Sequence, residues 1–447
     1  MSKNTNMLNM TEGNVTKLLV KFSIPMLIGN VFQQIYNLVD SVVVGQYVGA
    51  NALAAIGATG SVVFLFIALC NGIGSGGGVI VSQFFGAGND KKVRNTLTNV
   101  AYLMMGMAIL VCIVSSIITP WILRTLRTPV EILDDSIVYM RMMCFGLPLV
   151  AVYNYSASML RALGDSKGPL YFLIVTSIIN VFLDLLFVRG FNMGVFGAAF
   201  ATVIAQLIAG VCCMIYAFCT NEYFHLKIED YKLDVNIAHD TIRLGIPMSL
   251  QFALIAISSM GLQVVVNSFG AIAVAAFTAT SRIEQLVHQP YTSLSAALAT
   301  YSGQNYGAMK KDRLREGFIK STIIMMIMTA VLVLIMQLGG RQIVSLFVPD
   351  EGVIEMGARG LRITSIFYAV LGMIYVTRGV QNGIGDATFA LLNGIVEVIA
   401  RVLLPIFMSK DYLLGVWGIW WSAGTVWLVS CVFCFWRYIY YRKKYNM

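Results

Sequence analysis

Apolar residues in this chain fall into long runs, each broken by a short group of glycine, proline or charged residues. A run of about 20 apolar residues is what a helix needs to cross a bilayer, whereas a membrane barrel needs alternating segments of about 10. Twelve such runs are predicted as spans. They centre on residues 16–44, 52–84, 95–121, 134–160, 168–188, 194–219, 240–267, 272–303, 316–339, 355–380, 387–408 and 413–438.

Composition agrees with that pattern. The 447 residues are 58% hydrophobic and 12% charged, against about 25% charged in soluble domains. The class is an all-α polytopic membrane protein embedded in the lipid bilayer. All eight cysteines lie in apolar segments without histidine at ligand spacing, which argues for small membrane-helix residues rather than disulfides or a metal site. The first run lacks a small-residue cleavage site and reads as a retained helix. Most of the basic residues, among them Lys91, Lys92, Arg94, Lys310, Lys311 and Arg313, fall on one side when both termini are placed in the cytoplasm. The net charge of +9 is then an inside bias, and no nucleic acid is expected as a partner.

The runs repeat. "IPM" at 24 recurs at 246, "VSQFFGAGNDKKVR" from Val81 matches "YSGQNYGAMKKDRLR" from Tyr301, and "GVFG" at 194 matches "GVWG" at 415. Gln83 and Gln304, Asp165 and Asp386, and Gly194 and Gly415 are each 221 positions apart, an offset that predicts two homologous halves of six spans. Six is even, so the halves are parallel repeats, two lobes related by a pseudo-twofold axis along the membrane normal. The expected division is an N-terminal lobe at 1–219, a polar cytoplasmic linker at 220–240 and a C-terminal lobe at 241–447.

Duplicated halves share their scaffold, so polar residues found in one half only are the candidates for chemistry. At the same register Asp40 faces Gly261, Asn180 faces Arg401, Asp184 faces Pro405, Glu284 faces Val63 and Glu397 faces Thr176. Counting 1.5 Å per residue from the turns, Asp40, Asp184 and Thr202 fall at similar depth in the outer half of the bilayer, with Asn180 one turn from Asp184 on the same helix face. Spans 1, 5 and 6 therefore bring four oxygen-bearing side chains to one pocket. A carboxylate in hydrocarbon costs several kcal/mol and marks ion or proton pathways; the competing reading is a structural cluster or neutralisation by Arg141. In the second half, Glu397 and Arg401 can pair at i, i+4. Glu284 lies near mid-membrane, satisfied by Arg282 or Arg401 if it is structural, and His288 reads as a hydrogen-bonded helix residue.

The "IPM" opening with "QQIYNLVDSVVVG", the "QFFGAGN" loop with "QNYGA" in its repeat, and "LGD" after span 4 together resemble the multidrug and toxic compound extrusion (MATE) transporters. Among these, the chain is most like the prokaryotic DNA-damage-inducible-protein-F-like branch. The resemblance covers essentially the full length. It implies antiport: export of organic, often cationic, small molecules in exchange for Na⁺ or H⁺ by alternating access between two lobes in the cytoplasmic (inner) membrane. It also implies a first-lobe cation site at Asp40, Asn180, Asp184 and Thr202, these being the ligands if the ion is Na⁺. Tyr36, Asn37, Glu284 and Arg401 are candidates for substrate contact. A second branch uses a carboxylate pair in the second lobe; here "FYAVLGMIYVTRG" carries no acid to accompany Glu284.

The nearest rival is a lipid-linked oligosaccharide flippase of the same superfamily, which would carry extra spans and a strongly cationic cavity. A membrane enzyme is disfavoured: Asp134 and Asp135 lack a second acidic motif, and no Ser/His or HExxH arrangement lies in the spans. A channel fits a two-lobe repeat less well than alternating access. No catalytic residue and no cofactor beyond the coupling ion is expected, and the protein is expected to work as a monomer. Two carboxylates with amide and hydroxyl oxygens suit a hard cation, and a proton can neutralise the same carboxylates. Na⁺ and H⁺ are therefore expected to compete for one site, each driving release of drug bound in the first lobe.

Overall fold

The computed structural model describes residues 7–126, 128–410 and 412–445, and every regular element among them is helical. In chain order these are α1 (Val15–Tyr47), α2 (Ala50–Gly86), α3 (Asp90–Thr125), α4 (Val130–Phe145), α5 (Leu147–Ala162), α6 (Lys167–Asp184) and α7 (Gly194–Thr220). The second half holds α8 (Val235–Asn267), α9 (Ala271–Gly307), α10 (Lys311–Ser345), α11 (Glu351–Ser365), α12 (Tyr368–Ile384), α13 (Ala387–Met408) and α14 (Gly418–Tyr445).

Two pairs are bent spans: α4 and α5 meet at 46°, α11 and α12 at 51°. Counting each pair once gives twelve spans. Among the described residues, ten of them are long and apolar enough to cross a membrane by length and composition. The other two, α8 and α9, are equally long, at 33 and 37 residues. α9 carries Arg282, Glu284 and His288, whereas α8 from Gly245 onward is largely apolar and uncharged.

The repeat offset holds element by element: α2 and α9 are displaced by 221 positions at both ends. Left-handed backbone recurs at the same register, at Gly49 and Gly270, Gly164 and Gly385, and Gly194 and Gly415. The fourth such pair is Gly88 (φ 67°) and Met309 (φ 58°), where the turn is kept although the side chain opposes it. Packing across the repeat is complementary rather than identical. A Cβ on Gly146 would come within 2.4 Å of Val203, and one on Gly424 within 2.2 Å of Phe367. Phe367 and Gly424 are the counterparts of Gly146 and Val203, so large and small have exchanged helices while the gap stays filled.

By contact the chain forms two compact units whose borders differ from the sequence halves. One comprises Ile24–Ser249 with the residues just before Met10; the other joins Met10–Ser23 to the chain from Leu250 onward. In the second unit the segment before α1 is fixed to the α9–α10 turn. Met10 N–H donates to Gln304 Oε1 (2.8 Å), Asn305 Nδ2 donates to the Met10 carbonyl (3.0 Å), and Lys310 Nζ donates to the Thr11 carbonyl (3.0 Å). In the first unit the linker before α8 is fixed to the equivalent α2–α3 region. Asp234 N–H donates to Asn99 Oδ1 (3.0 Å), Tyr223 OH donates to Asp90 (2.8 Å), and Arg94 lies 3.6 Å from Asp230. Residues 241–249 follow that linker into the first unit. There Gly245 packs backbone to backbone on α2, where a Cβ on Gly76 would sit 2.6 Å from Gly245 N.

Candidate functional site

In the first unit, α1 presents Tyr36 and Asp40 one turn apart, α6 presents Asn180 and Asp184, and α7 presents Thr202 and Gln206. Asp184 ends α6, where the chain continues as a π-helical turn, Leu185–Gly190, a local widening of the kind often found at functional sites. Asn180 and Asp184 are 1% and 0% exposed, and Asp40 is partly exposed. The carboxyl groups of Asp40 and Asp184 interact directly. Asn180 Nδ2 donates to Thr202 Oγ1 at 3.5 Å, and the Thr202 hydroxyl donates to the Ala198 carbonyl at 3.1 Å.

The four oxygen-bearing residues expected from spans 1, 5 and 6 are thus together. Among the described residues, Asp40 Oδ1, Asn180 Oδ1 and both Asp184 oxygens are buried without a hydrogen-bond donor. Unsatisfied buried oxygens cost free energy, and here they converge with two formal negative charges. A positive charge is what they lack. No basic residue pairs with either acid among the described residues, and Arg141 is exposed on α4. This donor set fits a hard cation, which takes oxygen ligands, and it equally fits a proton.

Of the substrate-contact candidates, Tyr36 joins the cluster through side-chain hydrogen bonds with Gln33 and Gln206 and lies close to both acids. Asn37 does not; it is exposed, and its carbonyl accepts from Ser41 Oγ. Two members went unread in the sequence. Gln206 is one turn beyond Thr202 on the same face of α7, a spacing that could have revealed it. Tyr139 on α4 borders Tyr36, Asp40 and Asp184, and its repeat counterpart is Gly360, a difference as telling as those used for the acids.

The second unit holds a different arrangement. Arg401 pairs with Glu397 at 2.6 Å as expected, and Arg378 on α12 adds a second guanidinium at 3.4 Å, which sequence reading missed. Glu284 reaches the Thr364 hydroxyl and lies within electrostatic range of Arg401, yet its Oε1 is buried without a partner. His288 Nδ1 is 3.2 Å from Tyr375 OH, so it is a hydrogen-bonded helix residue. Glu284, His288, Arg401 and Trp427 border a cavity of about 320 Å³.

Two six-span repeats with buried, unpaired polar groups in each define a polytopic membrane transporter. Residues 25–186 and 247–406 each match the MatE family, and the chain belongs to that family. It is 27% identical over 442 residues to the probable multidrug resistance protein YoeA of Bacillus subtilis (strain 168), covering 97% of this chain and 96% of the relative. It is 23% identical to the multidrug export protein MepA of Staphylococcus aureus (strain NCTC 8325 / PS 47), covering 91% and 90%. Its fold matches a MOP superfamily transporter from Pyrococcus furiosus Vc1 with a TM-score of 0.92 at 24% identity, over 100% of both chains.

Proposed function

We propose that the protein is a secondary antiporter that exports organic, often cationic, compounds across the cytoplasmic membrane in exchange for inward Na⁺ or H⁺. Its termini lie in the cytoplasm, on the strength of the basic loops. The observation that carries this reading is the set of four buried oxygens without donors on Asp40, Asn180 and Asp184. A stable apolar helix unit keeps such a set where a transient positive charge completes it. Thr202, held by its own helix turn, keeps an oxygen lone pair for the same ion. The multidrug names carried by the similar proteins YoeA and MepA agree with organic compounds as the cargo.

In this mechanism the entering ion neutralises Asp40 and Asp184, while an organic cation near Tyr36 competes for the same negative field. Binding of one then weakens binding of the other, and that reciprocal coupling is what antiport requires. The test is ethidium movement in proteoliposomes under a Na⁺ gradient or a pH gradient imposed separately. Ethidium movement driven by at least one gradient and lost in Asp40→Asn is expected. Failure of both gradients, or ion-independent transport in wild type, overturns the reading, and flipping of a lipid-linked oligosaccharide by the same vesicles would replace it.

A further inference from the structure

The cavity of the second unit occupies the repeat position of the first-unit cluster with its chemistry exchanged. Asn180, Asp184, Thr202 and Gln206 become Arg401, Pro405, Ala423 and Trp427, all of which line the cavity. Glu284, whose counterpart is Val63, supplies the carboxylate instead. None of the oxygens that surround Asp184 is repeated here.

The charges do not close on themselves. Arg378 and Arg401 converge on the single carboxylate of Glu397, leaving one positive charge in excess, and the Arg401 Nε has no partner. Glu284 Oε1 is also without one. Among the described residues no ion pair within 4.0 Å joins Glu284 to Arg401, because Arg401 is turned toward Glu397 on its own helix. An excess positive charge and a negative charge thus border one cavity with Phe277 and Trp427 as apolar walls. A cation entering alone would satisfy Glu284 and leave the guanidinium excess unanswered, and an anion would do the reverse. A molecule carrying both charges answers both.

We propose that this cavity is a binding site for amphiphilic zwitterions, with Glu284 taking the ammonium, Arg401 the carboxylate, and Trp427 and Phe277 the apolar frame. The inference rests on the transporter reading above but concerns ligand recognition alone. Charge-assisted contacts are worth about 1.5–3 kcal/mol each, so removing either ligand charge should weaken binding about ten- to a hundredfold.

The probes are Nε-dansyl-lysine, its methyl ester (cation only) and its Nα-acetyl derivative (anion only), titrated by fluorescence anisotropy against the purified full-length protein. Wild type should bind the zwitterion about tenfold or more tighter than either derivative. In Arg401→Gln the ester should bind as well as the zwitterion, and in Glu284→Gln the acetyl derivative should. Because Arg401→Gln leaves Glu397 with one partner, the paired variant Glu397→Gln/Arg401→Gln serves if the single one does not fold. Equal binding of ester and zwitterion by wild type, or a preference that survives loss of Arg401, overturns the assignment. Ethidium antiport measured on the same preparation separates the two readings. Antiport without zwitterion preference refutes only the cavity assignment, and preference without ion-driven transport refutes only the antiporter.

Discussion

Asp184→Asn separates a cation site from a structural carboxylate, because the two roles move stability in opposite directions. Both Asp184 oxygens are buried without a donor, and the neighbouring carboxylate of Asp40 repels them. The amide keeps the shape, removes a like-charge contact and brings an N–H that can donate to Asp40 Oδ1. Unfolding temperature without Na⁺ is therefore expected to stay level or rise. The cation loses about 4 kcal/mol of attraction at 4 Å and an effective dielectric of about 20, which is nearly three decades of affinity. Wild type at a hundred times its dissociation constant gains about 2.7 kcal/mol from bound Na⁺, and the variant should gain essentially nothing. The assay is thermal unfolding of purified protein in matched Na⁺ and K⁺ buffers. Acidification should reduce the wild-type gain, since protons neutralise the same carboxylates. Asp165→Ala is the contrasting case. Asp165 accepts from the Lys167 and Gly168 N–H groups and from Tyr216 OH, so its loss should cost about 2 kcal/mol and spare the Na⁺ response. A destabilised Asp184→Asn, or one that Na⁺ still protects, would refute the cation site.

Thr202→Ala and Asn180→Ala should weaken Na⁺ protection by about tenfold each, less than the carboxylate variants, because a neutral oxygen contributes less than a charged one; calorimetric Na⁺ titration checks this. Glu284→Gln should change which compounds are exported while leaving the ion dependence in place, measured as ethidium and zwitterion transport under each gradient. Gly76→Ala places a Cβ 2.6 Å from Gly245 N, so it should lower stability by about 1–3 kcal/mol in the same unfolding assay. Met309→Gly should stabilise by up to about 1 kcal/mol, the relief of a left-handed side chain less the added entropy of glycine.

Periodicity and repetition made the spans and the acid cluster legible, because a constant offset carries depth and register from one half to the other. Where an interaction joins residues with no local pattern, sequence reading had nothing to work on. The Met10 backbone fixed to Gln304 is one case, 294 positions away and made through a peptide N–H that every residue but proline possesses. The bends at Gly146 and Phe367 are another, since each falls inside one apolar run. Arg378 was missed because its partner Glu397 already had a satisfactory partner four residues along the helix. Tyr139 went unread because nothing in the local pattern of α4 marks it; only its glycine counterpart, Gly360, sets it apart.

The same offset makes the two pockets a controlled comparison built into one chain. Both draw on equivalent helices, α6 and α7 in the first and α13 and α14 in the second. Side chains there differ at matching positions, while Glu284 enters the second from α9. The first pocket concentrates two negative charges and small oxygens, a field that draws any small cation. In the second, Pro405 and Ala423 stand where Asp184 and Thr202 supply oxygens, and Arg401 stands where Asn180 offers its carbonyl. A bare Na⁺ there would find one unpartnered carboxylate oxygen and a guanidinium of like charge, which at about 4 kcal/mol for a contact of 4 Å offsets the attraction of Glu284. On the proposed function, therefore, the coupling ion is confined to the first half by Arg401 as much as it is attracted there by Asp40 and Asp184. Converting the second pocket into an ion site would require removing that arginine and restoring oxygens at 405 and 423, since neither change alone gives a cation both a negative field and a ligand shell.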